Sequence, residues 1–343
     1  MTVENVCIIG SGNWGSAIAK IVGENTARHN NVFIPTVRQW VFEENVNGEK
    51  LTEIINTKHE NVKYLAGVSL PTNVVAIPDV VEACQDASLI VFVLPHQFVR
   101  GVCEKMKGHL APNARAISLI KGLEITPQGT RLFSEEISRI LDIPCAALSG
   151  ANIADEVARE KFCESTVGCT NIADGQIFHK LFDAPYFRIN VVQDHVGVQL
   201  CGALKNVVAV GAGLSDGLGF GSNTKSAIVR RGLVEMRKFG QTFFGDVVQT
   251  ETFFESCGVA DLLTTCMGGR NRKVAEAFAK TGKPIDVLEA ELLNGQKLQG
   301  TLTAKEVNEF LSARNMVEDF PLFTTVYRIC YEGLDMHAIV RDI

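Results

Sequence analysis

The chain has 343 residues, 46% of them hydrophobic and 21% charged, with a formal net charge of −6 and a pI near 5.7. That length holds about two domains whose cores need no disulfides. The acidic balance disfavours nucleic acid or an anionic membrane as the main partner, because phosphate binding is driven by lysine and arginine.

The first element is a short apolar strand, Val6 to Ile9, that runs into Gly10-Ser11-Gly12-Asn13-Trp14-Gly15 and then into a helical pattern. Gly10 permits the tight turn, Gly12 lets backbone approach phosphate, and Gly15 allows close packing of helix on strand. The first N–H groups of the helix then face an anion, so the order strand, glycine loop, helix predicts a dinucleotide site. Such a site takes an acid at the end of its second strand, typically about 20 residues on, for the adenosine ribose hydroxyls. Two strands compete. Val32 to Ile34 would be followed by Arg38 and a preference for NADP. Thr36 to Phe42 would end at Glu43-Glu44 and favour NAD, and it is preferred because Pro35 demotes the first candidate. On this reading Glu24 to Asn31 is a polar loop.

Further on, Val74 to Ile77 and Leu89 to Leu94 read as strands around a helical Asp79 to Ala87, and Ala116 to Ile120 and Cys145 to Leu148 continue the rhythm. The longest apolar run, Ala87 to Pro95, falls well short of the roughly 18 residues of a membrane span. Strands alternating with helices predict a mostly parallel sheet covered on both faces. Ligands of such sheets sit beyond the carboxyl ends of the strands, which makes Phe98 and Lys121 candidates to face cofactor or substrate. After a last strand, Phe187 to Val192, helical periodicity takes over. Residues 1–192 and 193–343 are therefore the expected domains, the second one helical. The N-terminus lacks an apolar leader, and Arg341-Asp342-Ile343 is not a peroxisomal tripeptide; a cytoplasmic location is expected. Ten cysteines without a CxxC pair, and no histidines at zinc spacing, read as buried reduced thiols with no metal.

In the helical half, Lys205 stands in the apolar stretch Gly202 to Gly211. Burial would lower its pKa toward about 7 to 8, where it could give and take a proton; the bland alternative is a lysine snorkelling to the surface. Asp261, in an equally apolar segment, reads as the partner of Lys205 or as a helix N-cap. Gly268-Gly269-Arg270-Asn271-Arg272-Lys273 ahead of a helix is either a phosphate grip or a solvated basic turn.

With these segments the chain resembles the NAD-dependent glycerol-3-phosphate dehydrogenases of the eukaryotic cytosolic type. The diagnostic block is Gly202 to Thr224, supported by Gly150 to Ala154, Gly268 to Arg272 and Asn294 to Gly300. Met267, the loop Glu24 to Pro35 and the tail after Gly333 depart from the pattern. The resemblance implies a Rossmann-type NAD-binding domain followed by an all-helical substrate domain, and commonly a homodimer. It implies Lys205, Lys121 and Asp261 as the catalytic set, and Lys121, Asn206, Thr265, Arg270 and Asn271 around the substrate. Gly10, Ser11, Gly12, Asn13, Trp14, Gly15, Phe42, Phe98, Ala154, Arg270, Lys297 and Gln299 are implied for the cofactor. The reaction so implied is hydride transfer between NADH and dihydroxyacetone phosphate, with a lysine acid/base in the interdomain cleft. A non-catalytic NAD-sensing module and a two-domain hydroxy-acid dehydrogenase are the competing readings; the presence of Lys205, Lys121, Asp261 and Arg270 together argues against the first, and the second would not need the Gly-Gly-Arg-Asn grip.

Overall fold

A computed structural model describes residues 3–343 as two compact units. The first comprises residues up to Ile120 together with Leu132–His195; the second comprises Lys121–Arg131 and Val196–Ile343.

The first unit is built on eight strands: β1 Val6–Ile9, β2 Val37–Trp40, β3 Val74–Ile77, β4 Leu89–Phe92, β5 Arg115–Ser118, β6 Cys145–Ser149, β7 Cys163–Gly168 and β8 Phe187–Val192. They lie in the order β3-β2-β1-β4-β5-β6-β7-β8, a Rossmann order extended by two strands. Every neighbouring pair is parallel except β6–β7. The apolar run of β1 serves two cores, as a strand buried on both faces must. Val6 and Ile8 pack with Ile18, Ile21 and Val22 of helix α1 (Asn13–Arg28) and with Phe178 and Phe182. Cys7 and Ile9 face the opposite side, with Val102, Met106 and Ile137.

The second strand is the preferred one, and Val32 to Ile34 contributes only a bridge from Phe33 to Glu4. The polar stretch Glu24 to Asn31 ahead of it is expected as a loop, but α1 runs on to Arg28. Its polar residues face inward with partners: Asn25 Nδ2 donates to Leu181 O and Asp183 O, and Thr26 Oγ1 to Pro35 O. A buried polar group is tolerated on these terms.

In the second unit the central element is a helix, His195–Gly217, packed with the equally long Ser222–Phe244 and five further helices of eight or more residues. Length and composition put His195–Gly217 in the range of a membrane span, although no single apolar run in it is that long; nearly all of it is buried within the fold, as for a core helix. A Cβ on Gly213 would lie 2.3 Å from Arg272 O, so glycine there lets the helix Arg270–Thr281 come close. Phe239, Phe243, Phe310, Phe320 and Phe323 form an aromatic cluster elsewhere in the unit. The hairpin of Leu123–Thr126 and Gly129–Leu132 was expected in the first domain; residues 121–131 belong to the second unit, where the first hairpin strand packs on the helix Gln299–Ser312. The helical half is thus completed by a ribbon from the other half of the sequence. All ten cysteines are free thiols, and burial pushes Cys84 up to about 11 and Cys103 up to about 12.

Candidate active site

The glycine loop between β1 and α1 divides its three glycines by role. Gly10 has φ +122°, and a Cβ there would lie 2.5 Å from Val93 O. A Cβ on Gly15 would lie 2.6 Å from Gly10 O, so this glycine is required for the helix to sit on the strand. Around Gly12 there is open space, with no protein atom within 4 Å of a built Cβ. Nothing in the fold demands glycine at position 12, and its open backbone can be approached closely by a ligand. Gly12 is also the N-cap of α1 and supplies no side-chain cap, which leaves the helix end available to an anion. These features fit a dinucleotide pyrophosphate.

Residues that local motifs did not announce hold the loop in shape. Buried Gln39 of β2 donates from Nε2 to Gly10 O at 2.9 Å and Gly15 O at 3.3 Å. Buried Asn61 donates to Ser11 O at 2.8 Å and Ser16 Oγ at 2.9 Å, and Asn13 Nδ2 donates to Tyr64 O at 2.8 Å. The available signal was an amide on the inward face of β2 between Val37 and Val41. For Asn61, distant in sequence and set in a turn, there was none.

Beside the loop a groove of about 580 Å³ is lined by Gly10, Ser11, Gly12, Phe42, Glu44 and Phe98 among others. Phe42 is 69% exposed and Phe98 54%, two aromatic faces left open on one groove. Trp14 is different: its ring packs edge-on against Phe187 at 6.1 Å and borders the core, so only its backbone can meet a ligand in the loop. Ala154 opens the short helix Ala154–Ala158 and packs near Trp14. The acid pair after β2 separates. Glu43 turns away to accept from Thr52 N and Oγ1 at the start of the helix Leu51–Lys58, and only Glu44 lines the groove. Arg38 donates to Glu82 O and Gln85 O, which removes it from the position that would favour NADP.

The second unit gathers the ionisable side chains. Lys205 is 5% exposed and Asp261 3%. Lys205 Nζ is hydrogen-bonded to Asp261 Oδ1, and Lys121 Nζ lies 3.4 Å from Oδ2. Burial, reinforced by the Lys121 charge, lowers the Lys205 pKa to about 8 although Asp261 opposes the shift. Lys205 is therefore not a snorkelling lysine. Asp261 makes no side-chain cap, and one π-helical turn, Ser256–Ala260, delivers it to the lysines; such turns recur at functional sites.

One residue beyond Lys205, Asn206 Oδ1 accepts from Asn271 Nδ2 at 3.0 Å, and Asn271 Oδ1 accepts from Gly300 N at 2.8 Å. Asn271 is thus a buried link between three segments, and the link uses one of its two amide hydrogens. Thr265 donates to Asp261 O at 2.7 Å. The helix Arg270–Thr281 starts after Gly269 with no side-chain cap. Arg270 is exposed at that end and donates from Nη1 to Gln296 Oε1 at 2.7 Å. Arg272 is absorbed elsewhere, pairing with Asp216, itself bonded to Lys225, and with Glu276. Of the basic run, then, Arg270 and Lys273 remain exposed beside the uncapped helix start. Lys297, mostly exposed, pairs with the buried Glu289, and Gln299 Nε2 reaches Thr303 Oγ1; both flank the Gln296 that holds Arg270. Among the described residues no group of three or more histidine, cysteine, aspartate or glutamate side chains could hold a metal ion.

The comparisons with known proteins agree over nearly the whole chain. Residues 5–174 match the family model of the NAD-dependent glycerol-3-phosphate dehydrogenase N-terminus, and residues 194–341 that of its C-terminus. The human protein named cytoplasmic glycerol-3-phosphate dehydrogenase [NAD(+)] is 61% identical over 333 residues, 97% of this chain and 95% of that one. Among solved structures, a glycerol-3-phosphate dehydrogenase from Saccharomyces cerevisiae is 50% identical, with a TM-score of 0.96 and 98% of both chains covered. One from Plasmodium falciparum is 43% identical with a TM-score of 0.94, covering 99% of this chain and 95% of that one.

Proposed function

Since the chain belongs to the NAD-dependent glycerol-3-phosphate dehydrogenase family, we propose that it interconverts dihydroxyacetone phosphate and sn-glycerol 3-phosphate, with Lys205 as the group that carries the proton. The observation that carries this reading is the buried Asp261–Lys205 pair with the more exposed Lys121 against it, one residue from an asparagine bonded to the first turn of the helix Arg270–Thr281. NAD(H), when bound, supplies or accepts the hydride.

Two lysines against one carboxylate leave the cluster net positive when both are protonated, which suits an anionic substrate. The phosphate is held by Arg270, by the N–H groups that open its helix, and by the remaining hydrogen of Asn271. Anchoring it there orients the ketone and makes the chemical step effectively intramolecular. Lys205 gives its proton to the carbonyl oxygen in the reducing direction and takes it back in the other; with a pKa near 8 it exists in both forms around neutral pH. Asp261 fixes the lysine's position, Lys121 adds a second donor to the developing negative oxygen, and Thr265 stiffens the turn that carries Asp261. In the first unit, the glycine loop and α1 take the pyrophosphate, Phe42 and Phe98 the adenine faces, and Glu44 the ribose hydroxyls. Lys297 and Gln299 assist the cofactor from the loop that holds Arg270. The same reading places the protein in the cytoplasm, as the relatives' names do, and includes a homodimer, which rests on the family resemblance.

Purified protein mixed with NADH and dihydroxyacetone phosphate is expected to consume NADH. No loss of NADH with that ketone would remove the reading in favour of a sensing module. The cofactor half has its own test. Gly12→Ala should keep the melting temperature of the parent and weaken NADH on the order of 100-fold, because the methyl meets only the ligand. Gly15→Ala should instead destabilise the fold by about 1–3 kcal/mol through the clash with Gly10 O. Calorimetric melts and NADH titrations separate the two; equal NADH affinity in Gly12→Ala would place the pyrophosphate elsewhere.

A further inference from the structure

Glu44 is the acid left to the groove once Glu43 is taken by Thr52, yet it is not a free carboxylate. Its Oε1 accepts from Lys63 Nζ and its Oε2 from Tyr64 OH at 2.7 Å. Lys63 and Tyr64 belong to the turn that braces the glycine loop: Tyr64 N donates to Asn61 Oδ1, and Asn13 donates to Tyr64 O. The pair is therefore anchored to the cofactor loop rather than wandering in solvent. Lys63 also lies 5.2 Å from the centroid of the Tyr64 ring and is partly exposed, next to the Glu44 and Tyr64 that line the groove. A compact ammonium in that position is a ready partner for a phosphate monoester on the ribose. Arg38, the other cation near β2, is held by two carbonyls.

We propose that Glu44 sets the choice between NADH and NADPH by masking Lys63, so that the protein carries a 2′-phosphate site held shut by one carboxylate. This rests on the assignment of the groove to the dinucleotide. Glu44 acts twice: it repels a 2′-phosphate directly, and it occupies the one cation of this turn that would receive it. The ribose hydroxyls of NADH still find lone pairs on Glu44, because each carboxylate oxygen accepts more than one hydrogen bond.

The test is calorimetric titration of Glu44→Gln, Lys63→Met and the double variant with NADH and NADPH. Gln keeps the shape and one acceptor but removes the charge. Glu44→Gln is expected to bind NADPH on the order of 30-fold or more tighter than the parent, with NADH affinity lowered a few-fold. Lys63→Met alone should leave NADPH as weak as in the parent, and in the double variant most of the gain should vanish. A gain that survives in the double variant would show that Glu44 only repels, and would overturn the masking. No gain in Glu44→Gln, with NADH still bound and the melt unchanged, would overturn the proposal altogether while leaving ketone reduction by the parent enzyme untouched.

Discussion

Replacing Lys205 with Met should cost about 100- to 10,000-fold in turnover of dihydroxyacetone phosphate while NADH binding stays near that of the parent. Met keeps the aliphatic bulk in a site where the lysine is 5% exposed, so the fold loses no packing and Asp261 retains Lys121 as its counter-charge. The parent should show the matching pH signature. Reduction needs the protonated amine and should fall as pH rises through about 8, whereas oxidation of the alcohol needs the neutral amine and should rise over the same range. In Lys205→Met both limbs should flatten. Stopped-flow turnover across pH, with NADH titrations alongside, reads all of this. Near-normal turnover in the variant would make the lysine structural and pass the proton to Lys121.

Arg270→Lys is the second large effect, although charge is retained. The guanidinium presents a fork that serves Gln296 with one arm and a phosphate with the other; an ammonium is a point charge on a flexible stem. Catalytic efficiency with dihydroxyacetone phosphate should fall about 10- to 100-fold. With unphosphorylated dihydroxyacetone the loss should shrink, because the missing contact is to the phosphate. Equal impairment with both ketones would assign Arg270 to the cofactor or the fold, and move the grip to the helix end and Asn271.

Local patterns were legible; partners far away in sequence were not. The strand, glycine loop and helix at residues 6–28 form a continuous unit whose residues interact with one another, and the motif described it before the fold did. Lys205 and Asp261 could be read because a charge in an apolar stretch announces that something compensates it, and with Lys121 they form one cluster. β7 escaped because its antiparallel place beside β6 is a matter of nonlocal pairing, and Cys163 to Gly168 carries no alternation of its own. Glu43 and Glu44 were indistinguishable as neighbours until Thr52, nine residues on, took one of them. Helix α1 seemed to end at its polar residues because the acceptors of Asn25, Leu181 O and Asp183 O, lie more than 150 positions away.

The ribbon at residues 121–131 makes the two halves of this enzyme inseparable by a single cut. The chain leaves the first unit after Ile120, returns at Leu132, and leaves again after His195. A fragment starting at Val196 would carry Lys205, Asp261 and Arg270 but leave Lys121 behind, and its helix Gln299–Ser312 would be stripped of the strand that covers it. The complementary fragment would keep an orphaned loop that carries Lys121 away from Asp261. Modular exchange, in which a new substrate domain is spliced onto an old nucleotide domain at their junction, is therefore closed to this architecture. A graft that keeps the Lys121–Asp261–Lys205 cluster must carry two crossovers, because that cluster is stitched together from both excursions of the backbone.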